Sequence, residues 1–305
     1  MTLLPERGSA VRVRVPATSA NLGPGFDALG LALRWYDDVV LELHDDGVVV
    51  DVTGEGADAV DRGAANLVVR AAVAAFDAMG IRPAGLALTC TNRIPHARGL
   101  GSSAAAIVAG ASAARALVAG GSELLDDAAL LQLCSDLEGH PDNVASCLLG
   151  GLTIAYMGDG VPRAVRLSVL PEIAPVLFIP PTTASTTQAR GMLPDLVPHA
   201  VAAANAGRAA LLVAALTADP GLLLAATEDR LHQAYRAPAM PETANLVAAL
   251  RADGIPAAVS GAGPTVLALP LSGNAAQLVS RAPSGWSARP VDVDTDGAQV
   301  SITDT

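Results

Sequence analysis

Residues 95–106 read Pro-His-Ala-Arg-Gly-Leu-Gly-Ser-Ser-Ala-Ala-Ala, and the rest of the chain is best interpreted outward from them. Gly99 and Gly101 allow a tight backbone turn, and Ser102 and Ser103 lead into an alanine-rich helical run. Free N–H groups at a helix start, the positive end of the helix dipole and two hydroxyls suit a polyanion. The stretch therefore predicts a phosphate-binding loop, although a glycine pair before a helix is, taken alone, equally typical of an ordinary capped loop.

Two other kinds of phosphate loop fit this stretch less well. Residues 99–104 match the Gly-x-Gly-x-x-Ala pattern of dinucleotide-binding folds, but residues 92–98 separate the loop from the predicted strand at 86–91. A Walker loop needs lysine, and all 19 basic residues of this chain are arginine. The absence of lysine excludes P-loop ATPases, protein kinases of the usual type, Schiff-base aldolases and pyridoxal enzymes.

Length and composition predict two α+β domains with a core of small apolar side chains. The chain has 305 residues, 51% of them hydrophobic and only 3% aromatic, so we expect closely packed helices. A change in the strand and helix pattern near residue 160 divides it into predicted domains at 1–160 and 161–305. The net charge of -11 argues against nucleic acid or an anionic membrane as a partner. Anion binding must then come from local arginines and a divalent cation.

Cysteine, histidine and hydropathy patterns predict a cytoplasmic protein without a zinc site. The three cysteines form no Cys-x-x-Cys pair, and the five histidines have no metal-ligand spacing. The first seven residues lack the basic start and apolar centre of a signal peptide. Arg115, Arg208 and Asp219 interrupt the longest apolar stretches, so no membrane-spanning helix is expected.

Periodicity and capping signals predict the order of the elements. Val11, Val13 and Val15 alternate with arginines in a strand that we expect to end at Pro16. An irregular loop at 18–27 then precedes a mostly antiparallel set of strands at 29–33, 39–43 and 48–52. Further predicted helices lie at 66–79 (capped by Asn66), 104–119, 123–137 (capped by Ser122), 199–217, 220–235 and 242–251, and Pro141 starts another. Further predicted strands lie at 152–156, 164–169, 175–179, 257–259, 265–269, 290–293 and 298–302.

Five polar residues outside the phosphate loop are candidate site residues. Asn21 and Asp27 bring an amide and a carboxylate into the first glycine-rich loop, where an Asx-type turn is the alternative explanation. Glu138 lies at a helix C-terminus, where the dipole disfavours a carboxylate, so a cation ligand explains it better than helix stabilisation. Arg190 and Arg236 suit a carboxylate because a guanidinium can donate two parallel hydrogen bonds to it. Either arginine, taken alone, is as typical of a surface charge.

Three glycine-bearing segments occur in an order that resembles the small-molecule kinases named after galactokinase, homoserine kinase, mevalonate kinase and phosphomevalonate kinase (GHMP). They are Asn-Leu-Gly-Pro-Gly-Phe-Asp at 21–27, the phosphate loop, and Ser-Gly-Ala-Gly-Pro-Thr at 260–265. Glu-Gly-His-Pro-Asp-Asn at 138–143 and Ser-Thr at 185–186 with Arg190 make the similarity greatest to the homoserine kinases, from about residue 10 to 290. The resemblance implies an N-terminal domain like ribosomal protein S5 domain 2, a C-terminal ferredoxin-like domain and, commonly, a homodimer.

The resemblance also implies roles for individual residues. The ATP-binding set would comprise Asn66 near the adenine, together with Pro95, Arg98, Gly99, Leu100, Gly101, Ser102, Ser103, Ala104 and Ala105. Ser102 or Ser103, with Glu138, would hold Mg²⁺. The substrate-binding set would comprise Asn21, Asp27, His140, Asn143, Thr186, Arg190, Arg236 and Gly261, of which Asn21, Asp27 and Arg190 are expected to be catalytic.

The implied reaction is phosphoryl transfer from MgATP to the side-chain hydroxyl of L-homoserine. Such a transfer needs mainly alignment and charge neutralisation, so Asp27 either orients the hydroxyl or accepts its proton. A related kinase for a sugar or isoprenoid alcohol is the nearest alternative. A catalytically silent nucleotide-binding relative and, more remotely, a nicotinamide-dependent dehydrogenase are the others.

Overall fold

The computed structural model describes residues 9–303. The prediction that the first seven residues form no signal peptide lies outside this part of the chain. Within it, two sheets with their helices form the two layers expected of a two-domain α+β protein.

The first sheet has seven strands in the described part of the chain and contains the predicted β-rich N-terminal half. Its central order is β11-β1-β2-β4-β3, and β5 joins β2 while β6 joins β5. The strands are β1 (Ala10–Asn21), β2 (Gly25–His44), β3 (Gly47–Gly54), β4 (Gly85–Asn92), β5 (Leu152–Gly158), β6 (Val161–Leu167) and β11 (Gln299–Thr303).

Strand β1 confirms the predicted alternation but runs further than expected. Val11, Val13 and Val15 are buried while the intervening arginines are exposed. The strand does not end at Pro16, because a register shift after this residue lets β1 continue against β2 to Asn21. Most of the predicted irregular loop at 18–27 is therefore strand, and only residues 22–24 form the turn between β1 and β2.

Strand β3 corrects the predicted antiparallel arrangement. It pairs in parallel with β4, and β4 pairs with β2, so that β4 lies between the two strands that precede it in sequence. Helix α1 (Leu67–Ala78) makes the crossover between β3 and β4.

Five helices of the first domain are α1, α2 (Ser102–Leu117), α3 (Gly121–Leu124), α4 (Asp127–Glu138) and α5 (Pro141–Leu149). The predicted close packing is confirmed between α1 and α2, since a Cβ at Gly110 would lie 2.1 Å from the Val68 carbonyl oxygen. Asn66 caps α1 and Pro141 starts α5, as predicted. The prediction for 123–137 was wrong at its start, because Asp126 caps α4 by accepting from the Ala129 N–H at 2.8 Å.

The second layer is a four-stranded sheet with the remaining helices. Its strand order is β10-β7-β9-β8. The strands are β7 (Val176–Ile179), β8 (Ala257–Val259), β9 (Val266–Ala268) and β10 (Ser287–Pro290). The helices are α6 (Thr186–Gly191), α7 (His199–Thr217), α8 (Leu223–Ala226), α9 (Gln233–Arg236), α10 (Pro241–Ala252) and α11 (Ala275–Leu278), and short 3-10 turns lie at Pro220–Leu222, Ala237–Ala239, Ser272–Asn274 and Val279–Arg281.

The single helix predicted for 220–235 is wrong and is replaced by two short helices around a turn. The carboxylate of Asp229 accepts backbone N–H groups from Leu231, His232 and Gln233 at 2.7–3.1 Å. Asp229 thereby offers the backbone an alternative to helical hydrogen bonds, as aspartate commonly does. The turn buries His232 and Arg236 against the first domain.

The two layers are joined by chain segments that cross between them. Strands β6 and β11 lie beyond residue 160 but pair with β5 and β1 of the first sheet. Tyr36 donates its hydroxyl to Asp294 at 2.7 Å beside this return of the chain. The predicted division at residue 160 thus separates two strands from the sheet that they complete.

Helix α7 is long and apolar enough, by length and composition, to cross a membrane, although we expected Arg208 to prevent this. Arg208 lies within the helix and pairs with Glu228 at 2.9 Å. Asn205 on the same helix donates to the Pro24 carbonyl oxygen at 2.8 Å, and Leu212 and Leu216 are buried. Core helices of soluble proteins meet the same length and composition test, and these contacts dock α7 on the rest of the chain.

Candidate active site

The phosphate loop predicted from the sequence precedes α2 and is held in place by backbone contacts. Gly99 and Gly101 have φ values of +72° and +69°, which favour glycine. A Cβ at Gly101 would lie 1.9 Å from Thr18 Oγ1, and one at Gly99 would lie 2.2 Å from the Ser260 carbonyl oxygen. The loop therefore fits between β1 and the third glycine-rich segment, with the N-terminus of α2 opening onto two cavities.

The first cavity has a volume of about 350 Å³ and a mostly apolar wall. Strands β1 to β4 and helices α1 and α2 supply that wall, and Ser102 and Ser103 form its border with the phosphate loop. The other lining residues are Val15, Asp37, Val39, Val52, Val60, Asp61, Ala65, Asn66, Leu67, Val68, Cys90, Asn92, His96, Ala105 and Ala106. An apolar slot that leads to a helix N-terminus suits a flat base attached to a phosphate chain.

Asn66 lines this first cavity, but its side chain is already hydrogen-bonded to protein. Its Oδ1 accepts from the Val68 N–H at 3.0 Å, and its Nδ2 donates to the Asp61 carbonyl oxygen at 2.8 Å. Asn66 therefore shapes the wall by capping α1, and its predicted position near an adenine stays a prediction.

The second cavity, about 310 Å³, lies on the other side of the phosphate loop and shares Ser102 and Ser103 with the first. It collects most of the predicted site residues from distant parts of the sequence. They are Asn21, Asp27, Gly99, Leu100, Gly101, Glu138, His140, Asn143, Thr186, Arg190, Arg236 and Gly261. Two ligands bound in the two cavities would meet at the start of α2.

Three residues of the predicted ATP-binding set line neither cavity: Pro95, Arg98 and Ala104. Arg98 donates to the carbonyl oxygens of Pro180 and Pro181, each at 3.0 Å, and pairs with Glu55. The guanidinium thus ties the phosphate loop to the segment that leads to α6. The side-chain donors of Arg98 are thus used within the protein, and its predicted contact with ATP stays a prediction.

Glu138 and Ser103 lie together where the two cavities meet. Ser103 donates its hydroxyl to Glu138 Oε2 at 2.7 Å, and burial raises the pKa of Glu138 above its ordinary value. Among the described residues, no group of three or more His, Cys, Asp or Glu side chains forms a metal site. One carboxylate and one hydroxyl nevertheless suit Mg²⁺, which keeps several waters and takes further ligands from substrate phosphates.

The first turn of α5 carries a chain of hydrogen bonds around Asp142, which the sequence analysis did not single out. The buried Asp142 Oδ1 accepts from His140 Nδ1 at 2.6 Å and from the Asn143 N–H at 2.7 Å. Burial alone would lower the pKa of His140, but the hydrogen bond and charge of Asp142 raise it above its ordinary value. Thr18 donates its hydroxyl to Asn143 Oδ1 at 2.8 Å. The position of Asp142 between His140 and Asn143 was the available signal.

Asn21 and Asp27 are held in the left-handed region of backbone space, with φ values of +67° and +52°. Asn21 accepts the Asp27 N–H at 3.0 Å and donates to the Gly261 carbonyl oxygen at 2.9 Å. Asn21 thus joins the first and third glycine-rich segments, and its predicted catalytic role stays a prediction. Asp27 and Arg190 form a two-pronged ion pair with both distances at 2.8 Å, so the negative charge of Asp27 already faces Arg190.

Arg236 differs from Arg190 in its surroundings. Its side chain is only 2% exposed, and burial lowers its pKa from the ordinary value. It donates to the carbonyl oxygens of Ala189 and Gly261 and to a ring nitrogen of His232. Within residues 9–303, no carboxylate lies within 4 Å of Arg236 and its Nη2 has no hydrogen-bond partner. A buried cation that lines a cavity and has no carboxylate in contact with it is suited to bind an anion.

Comparisons with known proteins match this architecture. The family models for the N-terminal and C-terminal domains of GHMP kinases match residues 66–151 and 202–287. A homoserine kinase from Streptomyces avermitilis is 58% identical over 294 residues, which cover 96% of each chain. The chain belongs to the homoserine kinase family of GHMP kinases. Another homoserine kinase of this family, from Clavibacter michiganensis, is 52% identical and covers 97% of this chain and 96% of its own.

Solved structures of the homoserine kinase family agree with the sequence comparisons. The crystal structure of homoserine kinase from Cytophaga hutchinsonii superposes with a TM-score of 0.83 at 28% identity, over 97% of this chain and 99% of that one. The predicted two-domain GHMP kinase architecture is thereby confirmed. Family membership also makes the chain an ATP-dependent kinase of amino-acid biosynthesis, in place of the dehydrogenase alternative.

Proposed function

We propose that this member of the homoserine kinase family transfers the γ-phosphoryl group of ATP to the side-chain hydroxyl of L-homoserine. The product would be O-phospho-L-homoserine for threonine biosynthesis. The observation that carries the proposal is Arg236, whose buried guanidinium has no carboxylate partner in the described chain and lines the same cavity as the phosphate loop. A sugar or another alcohol without a carboxylate would leave this cation without an anionic partner, whereas the α-carboxylate of an amino acid would pair with it.

The second cavity offers complementary groups for the rest of the acceptor. Asp27 supplies negative charge for an α-amino group. His140 and Asn143, at the start of α5, line the same cavity as Ser102. The bond from the γ-phosphorus to the β–γ bridging oxygen breaks as the homoserine oxygen bonds to phosphorus, and the hydroxyl proton is lost to Asp27 or solvent. Because the transition state is loose, alignment of the two ligands contributes more than a strong base.

The phosphate-binding part of the mechanism rests on the chain's own backbone. The N–H groups at the start of α2 would hold the ATP phosphates, and Gly99 and Gly101 let the backbone approach them closely. Glu138 and Ser103 would hold Mg²⁺, which supplies neutralisation of the phosphate charge when bound. No lysine is required by this arrangement, in agreement with a chain that has none.

The proposed activity is tested by ADP formation with several alcohols under the same conditions. L-homoserine, L-serine, L-threonine and mevalonate are compared in a coupled assay with ATP and Mg²⁺. We expect kcat/KM to be highest for L-homoserine by at least about 100-fold. With their carboxylates on Arg236, L-serine and L-threonine are one methylene too short, and mevalonate lacks the α-amino group and carries its hydroxyl at a different distance. Preference for another alcohol would favour a different GHMP kinase activity, and ATP binding without ADP release from any acceptor would favour a silent nucleotide-binding protein.

We also propose a cytoplasmic location and a homodimer, with no nucleic-acid or membrane partner. The net charge of -11 supports the absence of polyanionic partners, and the similarity to homoserine kinases supports the dimer. Light scattering after gel filtration and cell fractionation would test these points, and a monomer or a membrane fraction would contradict them.

A further inference from the structure

His232 is buried next to Arg236. The protonation state of His232 follows from the hydrogen-bond partners of its two ring nitrogens. Its Nε2 lies 2.8 Å from the Gly23 carbonyl oxygen, and its Nδ1 lies 3.1 Å from Arg236 Nη1. A carbonyl oxygen only accepts hydrogen bonds and a guanidinium only donates them. The imidazole must therefore carry its proton on Nε2 and accept at Nδ1, which makes it neutral. Its complete burial favours the same form, because burial lowers the pKa of His232.

The neutrality of His232 matters because the other hydrogen-bond partners of Arg236 are also uncharged. The guanidinium is held by two carbonyl oxygens and by the imidazole, all of them uncharged acceptors. Asp229 is the carboxylate near the ring, 3.7 Å from Nε2, and its oxygens accept three backbone N–H groups. Arg236 is thus oriented without a carboxylate in contact with it, whereas Arg190 is oriented by the carboxylate of Asp27.

The same histidine connects Arg236 to the first glycine-rich segment. Gly23 accepts from His232, and the Phe26 ring lies 5.2 Å from the imidazole. The guanidinium carbons of Arg190 and Arg236 lie 5.5 Å and 5.4 Å from the centre of that ring. The ring therefore stands beside both cations, where its π-electrons offset part of their mutual repulsion.

We propose that His232 is a positioning residue that makes the enzyme selective for acceptors with a carboxylate. As a neutral hydrogen-bond acceptor, it holds the guanidinium of Arg236 at the wall of the second cavity and leaves it free to pair with a carboxylate. The inference rests on the proposed function, and it adds that selectivity for an amino acid depends on a residue that does not touch the substrate.

The test compares two acceptors that differ only in the carboxylate, L-homoserine and 3-aminopropan-1-ol, with three forms of the enzyme. In the His232→Leu variant the acceptor for Arg236 is lost. We expect kcat/KM for L-homoserine to fall about 10- to 100-fold, as for a buried hydrogen bond to a charged group. The values for 3-aminopropan-1-ol and the KM for ATP should stay within about twofold of wild type. Dissociation constants from calorimetry replace kcat/KM if the amino alcohol turns over too slowly.

The His232→Asn variant is the matched control, since its side-chain oxygen can accept from Arg236 near the position of Nδ1. We expect this variant to regain most of the selectivity, within about fivefold of wild type. ¹⁵N spectra of histidine-labelled protein, with His232→Asn identifying the signals, should show a neutral Nε2–H ring. Melting temperatures of the variants check that they are folded.

Three results would overturn the inference: equal losses for the two acceptors, unchanged L-homoserine kinetics in His232→Leu, or an imidazolium or Nδ1–H ring in the spectra. Failure of the proposed function is distinguishable from these results. In that case the wild-type enzyme itself would not prefer L-homoserine over the other alcohols.

Discussion

The two cavities on either side of the phosphate loop are built in opposite ways. The first has a mostly apolar wall and meets the phosphate loop at Ser102 and Ser103, where consecutive backbone N–H groups begin α2. The second receives side chains from several separate segments, among them Asp27, His140, Arg190 and Arg236. A backbone site depends on local conformation, whereas a side-chain site depends on how distant segments pack. We therefore expect the first to be shared across the superfamily, and we propose that the second selects the acceptor.

The two arginines of the second cavity show a further contrast. Arg190 is half-exposed, and its pKa is raised by the hydrogen bond and charge of Asp27. Arg236 is buried among uncharged acceptors. The charge of Arg190 is already balanced before a ligand arrives, so a substrate carboxylate gains most from Arg236.

Replacing Arg236 should have the largest effect and should affect the second cavity alone. For Arg236→Met, we expect kcat/KM for L-homoserine to fall about 100- to 1000-fold, because one partner of a buried charge pair is lost. The dissociation constant of an ATP analogue should change less than about twofold. Steady-state kinetics and calorimetry measure the two quantities, and Arg208→Met on helix α7 is the control. If the affinity for the ATP analogue fell as much as kcat/KM for L-homoserine, the two cavities would not be independent.

The Asp27→Asn variant should slow turnover more than it weakens ATP binding. We expect kcat to fall about 10- to 100-fold, since Asp27 pairs with Arg190 and, in the proposed function, orients the acceptor. Single-turnover assays and ATP-analogue titration measure these effects. Glu228→Gln, which removes a different arginine-paired carboxylate, is the control. Unchanged turnover in a folded Asp27→Asn protein would remove Asp27 from the mechanism.

The Gly101→Ala variant should weaken ATP binding by disturbing the backbone of the phosphate loop. The positive φ of this residue costs about 1 kcal/mol for alanine, and its Cβ would also meet Thr18 Oγ1. We expect the dissociation constant of an ATP analogue to rise about tenfold.

Gly80→Ala provides a matched control, because its φ is +71° and nothing lies within 4 Å of an added Cβ. It should lose a similar amount of stability but keep its ATP affinity. Equal ATP affinities in the two variants would show that the loop tolerates movement.

The smallest expected effect is a pH dependence of stability that arises from His232. Its pKa is lowered in the folded protein, so below about pH 6.5 the unfolded chain binds a proton that the folded chain does not. Stability should be retained above that pH and lost as the pH falls, by at most about 1.4 kcal/mol per pH unit. In urea unfolding at several pH values, the free energy of unfolding should fall less steeply with decreasing pH for His232→Asn than for the wild type. The charged groups around residue 232, Asp229, Asp27 and Arg236, are the same in both proteins. Identical slopes would contradict the neutral assignment.

Elements with strong local signals were predictable from the sequence. The alternation in β1, the Asn66 cap of α1, Pro141 at the start of α5 and the extent of α7 all follow from periodicity and capping. The prediction failed at 220–235, where the carboxylate of Asp229 competes with helical hydrogen bonds. It also failed for β3, since the order of strands in a sheet depends on contacts that are distant in sequence.

The amino-acid sequence by itself determined the phosphate loop, the absence of lysine chemistry and the family, because these depend on consecutive residues and on composition. The tertiary structure alone decided that Arg98 donates to the carbonyl oxygens of Pro180 and Pro181, that Asp142 orders the start of α5 and that His232 accepts from Arg236. The physical reason is that donor, acceptor and charge partners are chosen by packing. Groups that lie far apart in the chain, such as the Asn21 side chain and the Gly261 carbonyl oxygen, meet only when the two layers pack together.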